Sequence, residues 1–270
     1  MTSLKNFVRR EVINQLNKYD NSISVQHQVH PEINFEYNSI LLVIGKTGSG
    51  KTFNVDNELV ALSYIPHNFT HVVYVTNNPN DLTFEKMKGL INLPITMISY
   101  QESCEYISTL REYIQAYDEI KKKHLEDRIT DECRNDILNY LCLKDFSKKD
   151  IYTLIIYDDA MNVFKNPASK EFKMLFEYRH FRTTYILMMQ SMKGITTEIK
   201  AQIGGIWLFG GFNRQQFLYM YNQLSIPIDK ERFWEIYQQL PKNCYVYINY
   251  ASDGTTVDVI DKNGNKIPID

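Results

Sequence analysis

Ser39-Ile40-Leu41-Leu42-Val43-Ile44 runs directly into Gly45-Lys46-Thr47-Gly48-Ser49-Gly50-Lys51-Thr52. The second stretch fills the pattern G-x-x-x-x-G-K-[ST] of a phosphate-binding loop, and the first is the apolar strand such a loop requires before it. A strand that ends in a glycine-rich turn and restarts as a helix aims several backbone N–H groups at one small volume. The positive helix N-terminus adds to that field. The glycines let the backbone approach an anion and adopt angles that a Cβ disfavours. In this reading Gly45 through Thr52 hold a nucleoside triphosphate, Lys51 reaches the β- and γ-phosphates, and the Thr52 hydroxyl ligates Mg²⁺. The following segment places Val55, Leu59 and Leu62 at helical spacing on one face, which supplies the expected helix.

A second apolar run, Leu154-Ile155-Ile156-Tyr157, ends in Asp158-Asp159. Magnesium bound to phosphate oxygens needs a carboxylate opposite the loop hydroxyl, and the end of a neighbouring strand supplies one. Asp158 takes that role. Asp159 is then positioned to orient and polarise an attacking water, with Glu177 as the other candidate carboxylate. Capping of a following helix is the plain structural alternative for the pair. The next strand, Thr184 to Met189, ends in Gln190, whose amide suits contact with the γ-phosphate or the attacking water. An inserted strand between the loop strand and the acidic strand, together with this polar residue, marks the RecA-like branch of these ATPases rather than the kinase and GTPase branch. Just ahead of that strand, Tyr178-Arg179-His180-Phe181-Arg182 offers two arginines. An arginine from a neighbouring subunit can neutralise charge that develops on the equatorial phosphate oxygens, and Arg179 and Arg182 are the candidates, Arg179 first. A salt bridge or a helix C-terminal charge is the alternative for either.

Further strands are expected at His71–Thr76, Ile95–Ile98 and Gly205–Phe209, and their alternation with helical stretches predicts parallel β-α-β units. Tyr245–Tyr250 and Thr256–Ile260 flank Asp253-Gly254, which predicts a C-terminal antiparallel hairpin. The stretch from Ser103 to about Leu143 reads as helical, with Lys121-Lys122-Lys123-His124 a solvated helix face, or alternatively a DNA-facing patch. Leu4, Phe7, Val8, Val12, Ile13 and Leu16 predict an amphipathic helix over 3–18. The expected organisation is that helix and a linker over 1–36, then one α/β domain over 37–270 built on a RecA-like (ASCE) core with a mostly parallel sheet.

With 32 acidic and 30 basic residues among 270, no global positive field advertises nucleic acid. The four cysteines lack metal-ligand spacing, so reduced thiols are expected. The N-terminus lacks the continuous apolar core of a secretory signal. No apolar run approaches the roughly 20 residues that span a bilayer, so no membrane insertion is predicted.

Taken in order, GKTGSGKT, LIIYDDA, EYRHFRTT and ILMMQS resemble the FtsK–HerA superfamily, in particular the genome-packaging ATPases of poxviruses, giant viruses and virophages. The resemblance spans about residues 37–212. In that viral branch two aspartates commonly replace the Asp-Glu pair of the bacterial translocases, as Asp158-Asp159 do here. It implies ATP and Mg²⁺ as cofactors and assembly into a pentameric or hexameric ring with hydrolysis at subunit interfaces. It also implies translocation of double-stranded DNA into a capsid, a capsid or portal-region partner, and residence in the host cytoplasm at the viral factory or in the virion. The bacterial type of DNA-guiding domain is not evident, so a few lysines repeated around a ring would have to contact DNA. Lys193 and Lys200 are the candidates. A nucleotide or small-molecule kinase and a nucleotide-gated assembly scaffold are the competing readings of the same loop.

Overall fold

A computed structural model describes residues 39–63, 69–78, 88–193, 195–251, 254–261 and 266–268. The amphipathic helix expected over 3–18 and its linker lie outside the described residues. Apolar runs of central-strand type dictate the frame. β1 (Ile40–Ile44), β2 (His71–Val75), β4 (Thr153–Tyr157) and β5 (Thr183–Met189) are buried at every position, as strands covered on both faces must be. β3 (Ile95–Ile98) and β6 (Ile203–Phe209) extend the same parallel sheet, in the order β3-β2-β4-β5-β1-β6. β5 lies between the loop strand and the acidic strand, paired to β1 through Ile44↔Met189 and to β4 through Tyr157↔Leu187. This is the inserted strand expected of a RecA-like core.

Past β6 the sheet turns antiparallel. β7 (Tyr245–Ala251) pairs with β6 through Trp207↔Tyr247, and β8 (Gly254–Ile260) pairs with β7 from Tyr245↔Ile260 to Ala251↔Gly254. The predicted hairpin is thus present and continues the main sheet. A two-residue strand, β9 (Lys266–Ile267), adds a further edge.

Period-two alternation sorts the strand side chains into two layers. Leu41, Val43, Leu154, Ile156, Ile186 and Met188 pack on one face with Val55, Leu59 and Leu62 of α1 (Lys51–Ser63), the helical stripe legible in the sequence. Leu42, Ile44, Ile155, Tyr157, Leu187 and Met189 face the other way. There they meet α2 (Tyr100–Lys123), α3 (Asp131–Tyr140), α4 (Lys170–Phe176), α5 (Thr197–Lys200), α6 (Arg214–Tyr221) and α7 (Lys230–Gln238). The charged stretch expected as one helical region is therefore two helices. α2 stops because His124 takes a left-handed conformation at φ 51°, where its N–H bonds the Ile120 and Lys121 carbonyls. The lysine run occupies the last turn of α2, where positive charge complements the helix dipole, and Lys121 and Lys123 pair with Glu126 and Glu119. Those contacts are those of a solvated helix end. Among the described residues, no helix is long and apolar enough to cross a membrane.

His71 opens β2 only 1 % exposed, with Nδ1 3.4 Å from the Thr70 hydroxyl and Nε2 without a partner. Burial pushes its pKa from 6.5 down to about 4. The folded state therefore keeps this ring neutral where the unfolded chain has already bound a proton, so stability is lost as pH falls from about 6.5 towards 4. That gap corresponds to about 3 kcal/mol. Urea titrations across this window should show the loss in the wild type, and His71→Asn should flatten the difference between pH 7 and pH 4.5. Equal pH slopes in the two proteins would exclude His71 as the source.

Candidate nucleotide-binding site

Strand ends create the site. Gly45 follows β1, Asp158 follows β4, Gln190 follows β5 and Gly210 follows β6, all at the carboxyl edge of parallel strands, the place where open α/β sheets bind ligands. Gly45 N–H still donates to the Met189 carbonyl at 3.0 Å, so the loop leaves the sheet beside Gln190, whose side chain is exposed. Asp158 N–H donates to the Val75 carbonyl at 2.9 Å, which extends the β2–β4 ladder by one bond and fixes the first acid.

Within the loop, Gly48 and Gly50 have φ of +75° and +98°, the backbone conformations that the glycine reading required. Lys51 folds back over the turn, and its ammonium donates to the Gly45 carbonyl at 2.6 Å and the Lys46 carbonyl at 3.1 Å. Partial burial holds its pKa below the ordinary lysine value, while the carboxylates of Asp158 and Asp159 act in the opposite sense. That mutual influence brings the loop and the acid pair into one electrostatic site. The hydroxyl-bearing Thr52 is exposed in the first turn of α1. Ser49, Lys46 and Thr47 complete the turn, with Ser49 N–H bonded to the Lys46 carbonyl at 3.2 Å.

Asp159 sits at φ 61°, ψ 54°, left-handed for a non-glycine residue, and its side chain makes no capping bond to the 3-10 turn Ala160–Asn162 that follows. Helix capping therefore does not account for this carboxylate, which is exposed. A strained backbone that presents an unbonded acid is a common device at functional sites.

The remaining candidates lie elsewhere. Arg179 and Arg182 precede β5, a seven-residue strand, and so stand about 25 Å along the sheet from Gln190. Neither reaches the loop of its own subunit. Arg182, at φ 48°, donates to both oxygens of Asp118 at 2.8 and 2.6 Å and to the Ile151 carbonyl at 3.0 Å, so it ties α2 to the start of β5. Arg179 is exposed, and among the described residues it bonds its neighbour, with Nε 2.8 Å from the Tyr178 hydroxyl. Glu177 is bound by the buried Arg111 at 2.5 Å, at the edge of the sheet away from the loop. Lys193 is exposed, and Lys200 donates to Gln223.

Three participants escaped the sequence reading. Asn243, left-handed at φ 64°, sits against Gly50, where an added Cβ would lie 2.9 Å from its Oδ1. Asn54 bridges the two segments, donating to the Gly50 carbonyl at 2.8 Å and towards the Asn243 carbonyl at 3.5 Å. Together they brace the loop from the β7 side. A cavity of about 290 Å³ opens there, lined by Lys46, Gly48, Gly211, Leu240, Lys242 and Asn243. Tyr100, at the start of α2, is the third residue near the site, its ring stacked on Tyr157 just before the acid pair. Asn54 lies at a helix position that the motif leaves unspecified, and Asn243 is 193 residues downstream of Gly50, so no local pattern marks either.

No protein-family model matches the sequence, and no curated protein matches it. Solved structures match the fold. The DNA-packaging ATPase B204 of Sulfolobus turreted icosahedral virus aligns over 83 % of this chain and 98 % of its own, at a TM-score of 0.52 and 12 % identity. The genome-packaging NTPase B204 of Sulfolobus turreted icosahedral virus 2, in complex with AMP, aligns over 81 % and 96 %, at 0.50 and 15 %. The cytoplasmic domain of the Thermomonospora curvata type VII secretion ATPase EccC aligns over 86 % of this chain and 25 % of its own, at 0.51 and 13 %. The chain therefore has the α/β fold of these P-loop ATPases, with the parallel sheet and the antiparallel extension described above.

Proposed function

We propose that the protein is an ATP-hydrolysing translocase of double-stranded DNA that works as a ring and packages a viral genome into a capsid. The observation that carries this reading is the convergence of the phosphate loop, the Asp158–Asp159 pair and Gln190 at one sheet edge, with β5 between the first two. Likeness in fold to a viral DNA-packaging ATPase supports the choice of task, as do the four ordered motifs.

In this reading the loop amides and Lys51 hold the β- and γ-phosphates, and the cavity beside Asn243 takes the nucleoside. The Thr52 hydroxyl and the Asp158 carboxylate are hard oxygen donors of the kind Mg²⁺ prefers, so this donor set fits the ion. Bound there, Mg²⁺ would neutralise charge on the phosphate oxygens. Asp159 orients water for in-line attack and accepts its proton, and Gln190 contacts the terminal phosphate or that water. Arg179, unlike Arg182, can leave its present contact without breaking an ion pair, and we assign it the role in the neighbouring subunit's site. Lys193 and Lys200 are the DNA-contact candidates, Lys193 the more available. A capsid or portal-region protein is the expected docking partner, and the host cytoplasm the expected place of action.

Magnesium-dependent phosphate release, measured with and without linear double-stranded DNA, tests the assignment. Stimulation by DNA that fades as salt rises is the expected result, because phosphate contacts release counterions. Equal rates with and without DNA, and no DNA binding at low salt, would overturn the translocase. Since the same fold serves a secretion ATPase, hydrolysis could survive that outcome with another polymer as cargo.

A further inference from the structure

Tyr100 follows β3, which pairs with β2 through Val75↔Ile98, and β2 in turn pairs with β4 through Val75↔Tyr157. Thr76 N–H donates to the Ile98 carbonyl, and Asp158 N–H to the Val75 carbonyl, so the ends of the three strands are tied at one level. A capping box then fixes the start of α2. Ser99 N–H donates to Glu102 at 2.9 Å and Glu102 N–H to the Ser99 hydroxyl at 3.3 Å, which sets Tyr100 as the first residue of that helix. Its ring stacks on Tyr157, the residue immediately before the acid pair, with centroids 6.3 Å apart and planes 24° from parallel. Tyr157 is itself pinned between Phe164 and Tyr185.

The ring is thereby held, yet its hydroxyl oxygen is sealed from solvent and has no hydrogen-bond partner among the described residues. Such an atom has lost its water and gained nothing in return, a condition that native structures rarely keep without use. A phenol hydroxyl can donate a hydrogen bond, and this one is held against the residue that immediately precedes the acid pair. Lys51 approaches from the loop side, and in the strand order Tyr100 lies on the opposite side of β4 from the loop.

We propose that Tyr100 is a positioning residue, whose hydroxyl donates to the Asp158 carboxylate when nucleotide is bound and fixes the oxygen that faces the metal. This rests on the functional reading above. Outer-shell donors of this kind orient carboxylate ligands, and their loss typically weakens metal affinity about 10–100-fold.

The test is Tyr100→Phe, which keeps the ring and deletes only the unpaired oxygen. In the nucleotide-free protein the melting temperature should hold or rise. Binding of a fluorescent ATP analogue in EDTA should be unchanged, while the Mg²⁺ concentration for half-maximal enhancement of that binding should rise at least about tenfold. An unchanged Mg²⁺ requirement in the variant, with the wild type showing a clear one, would overturn the role of Tyr100 and leave the ATPase reading intact. A lower melting temperature with an unchanged Mg²⁺ requirement would likewise overturn it, by making the hydroxyl structural. A wild type that binds the analogue with no Mg²⁺ dependence would overturn the functional reading itself.

Discussion

Lys51→Ala and Asp159→Asn will each lower ATP hydrolysis about 100-fold or more, and only the second will keep its nucleotide. Lys51 does two jobs that alanine ends together. In the proposed reading its ammonium supplies the charge opposite the β- and γ-phosphates, and it clamps the turn through the Gly45 and Lys46 carbonyls. Hydrogen bonds to a charged group contribute about 1.5–3 kcal/mol, so loss of phosphate contact in the ground state alone predicts at least a tenfold weaker affinity. Asp159 differs because its side chain holds nothing in place. Asparagine tolerates the left-handed backbone as well as aspartate does, and no capping bond is lost. The fold and the phosphate contacts should survive, while the proton acceptance proposed for Asp159, worth about 10²–10⁴ in rate, would disappear. Equilibrium binding of a fluorescent ATP analogue and single-turnover hydrolysis separate the two variants. Hydrolysis by Asp159→Asn within threefold of wild type would move the catalytic carboxylate elsewhere. Glu177, paired with Arg111 at 2.5 Å, would then be the next carboxylate to substitute.

The difference between what sequence conveys about Asp158-Asp159 and about Tyr100 is physical. A strand that must be buried on both faces is written as a continuous apolar run, so its end, and any acid there, can be read directly. The same holds for the loop, whose glycines are dictated by backbone angles. Tyr100 is a tyrosine in a helix like many others, and only the register of three strands brings it beside the acids. Arg182 shows the converse. Its motif position suggested chemistry, but Asp118, 64 residues upstream on another helix, engages it, and a pairing of that separation leaves no local trace. Sequence thus conveyed the sheet order around β5 and the glycine turn after β1, and withheld the contacts that brace that turn across long chain separations.

That division bears on how the site could communicate. The phosphate loop is bonded on one side to the start of β7 through Asn54 and Asn243, and on the other to β5 through Gly45 N–H. β5 begins at the turn that carries Arg179 and ends at Gln190, so one rigid strand joins the residue that would sense the terminal phosphate to the residue that would enter the next site.

Gly45→Ala tests whether the loop depends on that bracing, and it should cost both stability and nucleotide binding. An alanine Cβ at Gly45 would lie 2.4 Å from the Ser49 hydroxyl and 2.7 Å from the Phe209 Cβ. The first clash can be relieved, because a serine hydroxyl swings away. The second cannot, because a Cβ moves only with its backbone, and Phe209 is fully buried at the end of β6, packed on Tyr245 with centroids 5.0 Å apart. The ends of β1 and β6 must therefore separate. Doing so strains the Ile44↔Leu208 register and shifts the Gly45 carbonyl that receives Lys51. Overpacking of this kind costs typically 1–3 kcal/mol, and the displaced loop should bind nucleotide at least about tenfold more weakly. Gly48→Ala provides the contrast. No atom lies within 4 Å of its added Cβ, so only the positive φ resists the change, at a cost of about 1–2 kcal/mol and with the strand ends undisturbed. Urea denaturation and analogue binding on the two variants distinguish steric displacement from backbone strain. Should Gly45→Ala retain wild-type stability and affinity, β6 would not be a wall of the site, and the loop would be held by β5 and the Asn243 segment alone.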